Sequence, residues 1–167
     1  MARRTSVAVT AATLLLLGGC AARTPAPGDA RDVENRVREP ARQDRAGVQV
    51  RPLQNPAVKA LLADAGDAES AGDYDQAVSL LERALRIQPN DPEILQNMAE
   101  VQLRVQDYEQ ALHFAQRSYD IGPRVGEICS RNWRTISVAR DYMGDPSGST
   151  EAEQRASRCM NTPPTRL

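Results

Sequence analysis

Aromatic residues, histidine and cysteine are scarce in this chain of 167 residues. With one Trp and one Phe, any core must be built from Leu, Ala, Ile and Val, which favours a helical protein. Apart from Cys20, the chain has two thiols and the single, distant His113, and these do not make a tetrahedral zinc site. We therefore expect no metal site and no cofactor.

The residues that an enzyme needs are missing as well. His113 is predicted to lie exposed on an outer helix, with no nucleophile or acid at suitable spacing. The segment 147–149 (Ser-Gly-Ser) lacks the Gly-x-Ser-x-Gly pattern and the preceding strand of a nucleophile elbow, and the sequence has no glycine-rich phosphate loop. We predict that the protein is not an enzyme and has no small-molecule substrate.

The net charge of −1 hides an uneven distribution. Residues 58–123 hold five basic and twelve acidic residues, a net charge of −7, whereas residues 21–57 and 124–167 each carry +2. The acidic central segment argues against a nucleic-acid partner, because phosphates would repel it. The basic ends could contact anionic lipid headgroups or an acidic protein surface, or could form an ordinary solvated surface.

The first twenty residues have the pattern of an export signal. Residues 1–4 are basic and Thr5 to Leu17 are mostly apolar, a run too short to remain as a membrane span. Cys20 follows Leu-Gly-Gly and so resembles the lipidated cysteine of a bacterial lipobox, although an ordinary signal with a chance cysteine is the alternative. Ala21, rather than Asp, comes next, which by resemblance to sorted lipoproteins implies the outer membrane, facing the periplasm.

The segment after Cys20 has a different composition. Residues 21–56 contain five prolines and almost no apolar periodicity, which predicts a flexible tether. Residues 48–53 alternate apolar and polar, so they could pack on the first helix or form an extended docking strip. We expect a signal at 1–19, a lipidated linker at 20–56, a helical domain at 57–160 and a disordered tail at 161–167.

The helical part repeats itself with a period of 34 residues. The hexapeptide GDYDQA at 72–77 is echoed by QDYEQA at 106–111, and Pro89 is echoed by Pro123. This spacing resembles the tetratricopeptide repeat, a helix-turn-helix unit of 34 residues. The resemblance implies an all-α fold, a short helical solenoid with two clear repeats and a degenerate third.

Helix starts can be placed from capping residues. Asp73 and Asp107 are followed by Gln three residues later, which predicts the start of the second helix in each clear unit. Asp91, followed by Pro, opens the next helix. In the third unit we take residues 144–145 as the turn and predict that a capping box at Thr150 starts the last helix.

Cys129 and Cys159 are expected to form a disulfide, because paired thiols in an exported protein are oxidised by default. The repeat register places Cys129 at the start of one helix of the third unit and Cys159 near the end of the other. Antiparallel packing would bring those ends side by side.

The tetratricopeptide resemblance also implies a concave partner-binding groove on the first helices of the units. Leu62 and Leu103 are the expected apolar anchors, and Arg131 and Arg134 the orienting charges. Asn97 with Arg131 partly resembles a carboxylate clamp, but the other basic members are not matched; the convex side is the remaining alternative. The predicted groove residues are Leu62, Glu69, Gln96, Asn97, Glu100, Leu103, Arg104, Arg131 and Arg134, with Lys59 and Asp141 beside them.

The whole arrangement is similar to small tetratricopeptide lipoproteins of the Gram-negative envelope. Among these, it resembles lipoprotein activators of bifunctional penicillin-binding proteins, which implies an adaptor that regulates a peptidoglycan synthase. The alternative is an assembly factor or pilotin for an outer-membrane secretin or pilus system. A peptidoglycan hydrolase is disfavoured because the catalytic residues are missing.

Overall fold

Six α-helices follow one another between Pro56 and Arg158 in the computed structural model, which describes residues 32–43 and 55–159. A further helix, α1, precedes them; it is π-helical over Val33–Arg38 and α-helical over Glu39–Gln43. The later helices are α2 (Pro56–Ser70), α3 (Tyr74–Ile87), α4 (Pro92–Arg104), α5 (Tyr108–Ile121), α6 (Glu127–Tyr142) and α7 (Pro146–Arg158).

These helices pack as three hairpins, α2 with α3, α4 with α5 and α6 with α7, and each hairpin also contacts the next. The interior is made of aliphatic side chains such as Leu81, Leu95 and Ile136, which are almost completely buried. The predicted all-α solenoid with two clear repeats and an irregular third is confirmed. No helix in the described part of the chain is long and apolar enough to span a membrane.

The same turn joins the two helices of every hairpin. Residue 72, 106 or 144 adopts a positive φ, and the aspartate that follows it caps the next helix. Gly72 and Gly144 tolerate that conformation, whereas Gln106 accepts it at some cost in strain. The 34-residue echo in the sequence is therefore the echo of one turn and one cap.

The predicted caps of the two clear units are present. Asp73 Oδ1 accepts a hydrogen bond of 3.0 Å from the backbone N–H of Gln76, and Asp107 makes the same bond to Gln110. Asp91 Oδ1 accepts from two backbone N–H groups at the start of α4, at 2.8 and 3.2 Å. Each aspartate satisfies amide donors that the helix itself leaves unpaired.

The predicted start of the last helix at Thr150 is wrong, because α7 begins four residues earlier. Asp145 is the cap, and its Oδ1 accepts from the Gly148 N–H at 2.8 Å. Pro146 occupies the first turn, where its missing N–H costs nothing. The Thr150 hydroxyl instead donates to the Pro146 carbonyl within the helix, at 3.0 Å.

A disulfide joins Cys129, near the start of α6, to Cys159, which follows α7. The two Cα atoms are 5.7 Å apart. The Cys159 carbonyl also accepts a hydrogen bond from the Gly126 N–H at 2.9 Å. A disulfide and a backbone hydrogen bond therefore hold the open end of the last hairpin together.

Helix α1 differs from the expectation for this part of the chain, since residues 32–43 lie inside the interval assigned to a flexible linker. Val33, Val37 and Ala41 are buried and recur every four residues, which gives α1 one narrow apolar face. Pro40 lacks an N–H and crowds the preceding turn, and a proline inside a segment argues against a helix. For this reason the sequence pattern did not predict α1. The signal, Cys20, residues 48–53 and the predicted tail lie outside the described residues.

Candidate functional site

The first helices of the three hairpins, α2, α4 and α6, form the surface that carries α1, which lies over α6 and α4 and reaches α2 through the ion pair between Arg38 and Glu69. We call this surface the concave groove. Helix α1 packs mainly on α6 and also contacts α4. Every residue predicted for a partner groove belongs to α2, α4 or α6.

Apolar packing holds one half of α1. Val33 and Val37 form a cluster with Leu103 of α4 and Val138 of α6, and Leu103 is only 3% exposed beneath them. Leu103 was expected to be an anchor for a partner. In this structure its side chain is covered by the chain's own helix.

Polar contacts hold the start of α1. The Tyr142 hydroxyl donates to the carboxylate of Asp32, and the ring of Tyr142 stacks on Tyr108 with centroids 4.8 Å apart. Arg36 forms an ion pair of 2.7 Å with Asp141. Asp32 raises the pKa of Tyr142 to about 12, chiefly because the phenol donates its proton to that carboxylate.

Arg38 connects α1 to two other helices through acidic side chains. Its Nη2 donates to both carboxylate oxygens of Glu69 on α2, each at 2.9 Å, and its Nε donates to Oε2 of Glu100 on α4 at 2.6 Å. Arg104 lies against Glu69 as well, with Nε 2.5 Å from Oε1. A single guanidinium therefore bridges the first two hairpins.

Glu100 is the centre of this network and is fully buried. Besides Arg38, it accepts two hydrogen bonds from Arg131 of α6, at 2.7 and 2.8 Å, and one of 2.8 Å from the Gln96 amide. The same amide donates to the Thr135 hydroxyl at 2.8 Å. This carboxylate thus joins α1, α4 and α6 directly, and Arg38 extends the network to Glu69 on α2.

Electrostatics keep Glu100 ionised. Burial opposes its charge, but the guanidinium groups of Arg131 and Arg38 outweigh burial and lower the pKa of Glu100 to about 2. In return, despite burial, Glu100 raises the pKa of Arg131. The network consequently keeps its charges throughout the neutral range.

The carboxylate clamp that Asn97 and Arg131 partly resemble is closed by internal bonds. Arg131 Nη2 donates to Asn97 Oδ1 at 2.9 Å, while the remaining guanidinium bonds go to Glu100. The guanidinium is therefore directed toward the chain's own acid. Arg134 lies one helical turn further along α6 and donates to Ser130 at 3.3 Å.

Part of the concave groove remains open beside α1. A cavity of about 200 Å³ lies between α1, α2, the middle of α4 and the start of α6. Leu62 is half-buried there, which agrees with its predicted place in a groove. The lining includes Arg38, Leu62, Glu69, Asn97, Glu127 and Arg131.

The residues predicted for the groove lie on α2, α4 and α6, and their use by a partner stays a prediction; the residues of α1 that contact them were not predicted. The missed residues are Asp32, Val33, Val37 and Arg38. The one available signal was the spacing of Val33, Val37 and Ala41, and it was hidden by the proline and arginine content of the segment. His113 is exposed on α5, and within residues 32–43 and 55–159 no three potential metal ligands come together.

Comparison with known proteins agrees with this fold. Residues 68–118 match the family model described as tetratricopeptide repeat. The globular C-terminal domain of P. aeruginosa LpoP matches with 33% sequence identity and a TM-score of 0.59, covering 62% of this chain and 98% of that domain. A search of curated proteins finds no match. Because nearly all of the LpoP domain is matched at this identity, the chain belongs to the family of tetratricopeptide-repeat proteins that includes LpoP.

Proposed function

We propose that this protein is a periplasmic adaptor, anchored to the outer membrane through Cys20, that binds and activates a bifunctional penicillin-binding protein. The observation that carries the proposal is the 33% identity with the LpoP domain over almost its entire length. It is supported by the resemblance of the signal, tether and repeats to lipoprotein activators of such synthases. The adaptor would supply a binding surface and leave the chemistry to its partner.

The concave groove suits a role in binding. Its walls are α-helices of packed hairpins, and the ion pair between Glu100 and Arg131 joins α4 to α6 without α1, so the walls need little ordering on binding. The open cavity beside α1 combines the half-buried Leu62 with polar groups from Asn97 and Glu127. Such a mixture of apolar and polar groups fits a protein segment.

The activation itself is tested with purified protein lacking residues 1–20 and a bifunctional penicillin-binding protein from the same cells. Glycan polymerisation or peptide crosslinking should accelerate on addition of the protein. Leu62→Ser should weaken the effect at a given concentration, whereas His113→Ala, exposed on the outer helix α5, should not. An unchanged synthase rate at saturating protein contradicts the proposal.

The partner can be identified in cells by crosslinking. A photoreactive amino acid replacing Leu62 is preferable to one at Leu103, because Leu103 is covered by α1. Capture of a penicillin-binding protein supports the proposal. Capture of a secretin or pilus subunit instead would favour the assembly-factor alternative.

The anchor is tested separately with Cys20→Ala. Labelled palmitate should enter the wild-type protein and not the variant, and the variant should leave the outer-membrane fraction. Membrane retention of an unlabelled wild-type protein would contradict lipidation at Cys20.

A further inference from the structure

Helix α1 occupies the concave groove in the manner of a bound ligand. Its contacts combine an apolar face, formed by Val33 and Val37, with one deeply placed cation, Arg38. Asp32 at its start is held by the Tyr142 hydroxyl. The valines pack on Leu103 and Val138, Arg38 pairs with Glu69 and Glu100, and Asp32 contacts Tyr142. The side chains of α1 therefore show which chemical groups the groove can bind.

Helix α1 depends on the groove for its structure. An isolated helix shorter than about 12 to 15 residues is marginal in water, and α1 spans residues 33–43. Only Val33, Val37 and Ala41 are buried along it. Each helix of the hairpins is 13 to 16 residues long and packs against its hairpin partner, so α1 is the described element that can leave with the least disturbance to the others.

Removal of α1 would expose apolar and acidic side chains of the groove. Leu103 and Val138 would face water, and Glu69 and Glu100 would each lose the guanidinium of Arg38 while keeping Arg104 and Arg131 respectively. When another helix covers the groove and excludes water, the carboxylate oxygens vacated by Arg38 need another donor. A second guanidinium satisfies them, whereas an acidic or purely apolar helix does not.

We propose that the concave groove is a receptor for an arginine-bearing amphipathic helix, that α1 is its intramolecular occupant, and that a partner's helix of the same pattern displaces α1. The pattern is an acid, an apolar residue directly after it, a second apolar residue four positions later, and then an arginine. The identity of the partner rests on the proposed function; the competition for the groove does not.

Displacement would also change the reach of a lipid-anchored protein. With α1 docked, about 12 residues separate Cys20 from the folded unit, a span of at most about 40 Å. With α1 released, about 35 residues separate Cys20 from α2, which can span about 120 Å. A partner that takes the groove would thereby lengthen the tether on which it is held.

The test uses a fluorescent peptide of residues 31–44 and the full mature chain. Wild-type protein should bind the peptide weakly, since its own α1 is present at a high effective concentration. Val37→Asp, which places a charge against Leu103 and Val138, should bind at least tenfold more tightly. Val125→Asp, at a position 45% exposed, is the matched control and should behave as wild type.

The cation is tested on the peptide. An Arg38→Ala peptide should lose at least tenfold in affinity for the Val37→Asp protein, because Glu69 and Glu100 are left without their donor. Equal affinity of the wild-type and Val37→Asp proteins for the unchanged peptide overturns the proposal. Equal affinity of both peptides overturns it as well.

A measurement on wild-type protein covers the case in which Val37→Asp fails to fold. Saturating peptide should speed hydrogen exchange of the α1 amides, while the amides of α2 to α7 keep their protection. Protection of α1 that is unchanged at saturating peptide overturns the proposal.

The synthase assay separates this inference from the proposed function. If the groove receives the partner, Val37→Asp should reach half-maximal activation at a lower concentration than wild type. If no form of the protein activates the synthase, the proposed function fails while the peptide experiment still decides the competition. If wild type activates but the peptide never binds, the inference fails and the function stands.

Discussion

The Glu100→Gln substitution removes one buried negative charge and leaves the shape of the side chain nearly unchanged. In the wild type, that charge accepts hydrogen bonds from Arg38, Arg131 and Gln96. In the variant, the neutral amide leaves Arg131 without its buried counter-charge. We expect the domain to be destabilised strongly, since an uncompensated buried guanidinium is costly.

The size of the effect follows from the ionisation of Glu100. Its pKa falls from 4.5 to about 2 on folding. At 1.36 kcal/mol per pKa unit, the charged form stabilises the folded state by about 3 kcal/mol at neutral pH. Breaking a buried ion pair by removing one partner costs about 3 to 5 kcal/mol in other proteins, which agrees with this value.

The pH dependence has a definite sign. The folded-state pKa of Glu100 lies below the unfolded value, so its stabilisation is complete above about pH 5 and is lost as the pH falls through 4.5 toward about 2. The gap in unfolding free energy between wild type and Glu100→Gln should therefore narrow from about 3 kcal/mol at pH 7 to about 1.5 kcal/mol at pH 3.

Urea denaturation followed by circular dichroism measures this gap, with the disulfide kept intact. Glu82→Gln, an exposed acid on α3, is the matched control and should change the free energy by no more than about 0.5 kcal/mol. If Glu100→Gln lowered the unfolding free energy by less than about 1 kcal/mol at pH 7, the reasoning would be refuted, because solvent-exposed ion pairs contribute that little. A gap that stays constant down to pH 3 would refute it as well.

Three further predictions concern the stability and local chemistry of the domain. Replacing Cys129 and Cys159 by serine opens a loop closed over 30 residues and should lower the unfolding free energy by about 3 to 4 kcal/mol, measured by urea denaturation; no change would mean that the bridge constrains nothing. Asp91→Ala removes the cap of α4 and should cost about 1 kcal/mol in the same assay, whereas a neutral result would show that the cap is dispensable. In an alkaline absorbance titration, the Tyr142 phenol should ionise near pH 12, and Asp32→Asn should bring it back toward 10; an unshifted titration in that variant would contradict the contact.

The helical repeats could be predicted because their signals are local. Asp73 and Asp107 cap helices through bonds to residues three positions away, so the same short sequence produces the same turn wherever it occurs. The error at Thr150 has the same origin, since two nearby segments both look like caps. Asp145 is the one used, because it follows a glycine that can adopt the positive φ of the turn.

The groove could be predicted only in part. Helical periodicity places Gln96, Glu100 and Arg131 on the first helices of their units, and the structure has them there, with Gln96 and Glu100 fully buried. It does not say that Arg131 points at Glu100 instead of at a ligand, because these residues are 31 positions apart in sequence and their distance depends on how α4 and α6 pack. Nor does it show that Leu103 is covered.

The sequence by itself determined the class of fold, the repeat register, the helix caps of the two clear repeats and the pairing of Cys129 with Cys159, since each depends on neighbours along the chain or on one repeating unit. Only the tertiary structure decided what fills the groove. Val33 and Val37 are too few apolar residues, in a segment that is otherwise polar, to specify a helix alone. The segment becomes one when Leu103, Val138, Glu69 and Glu100, contributed by three different helices, offer an apolar floor and an acidic pair at matching positions.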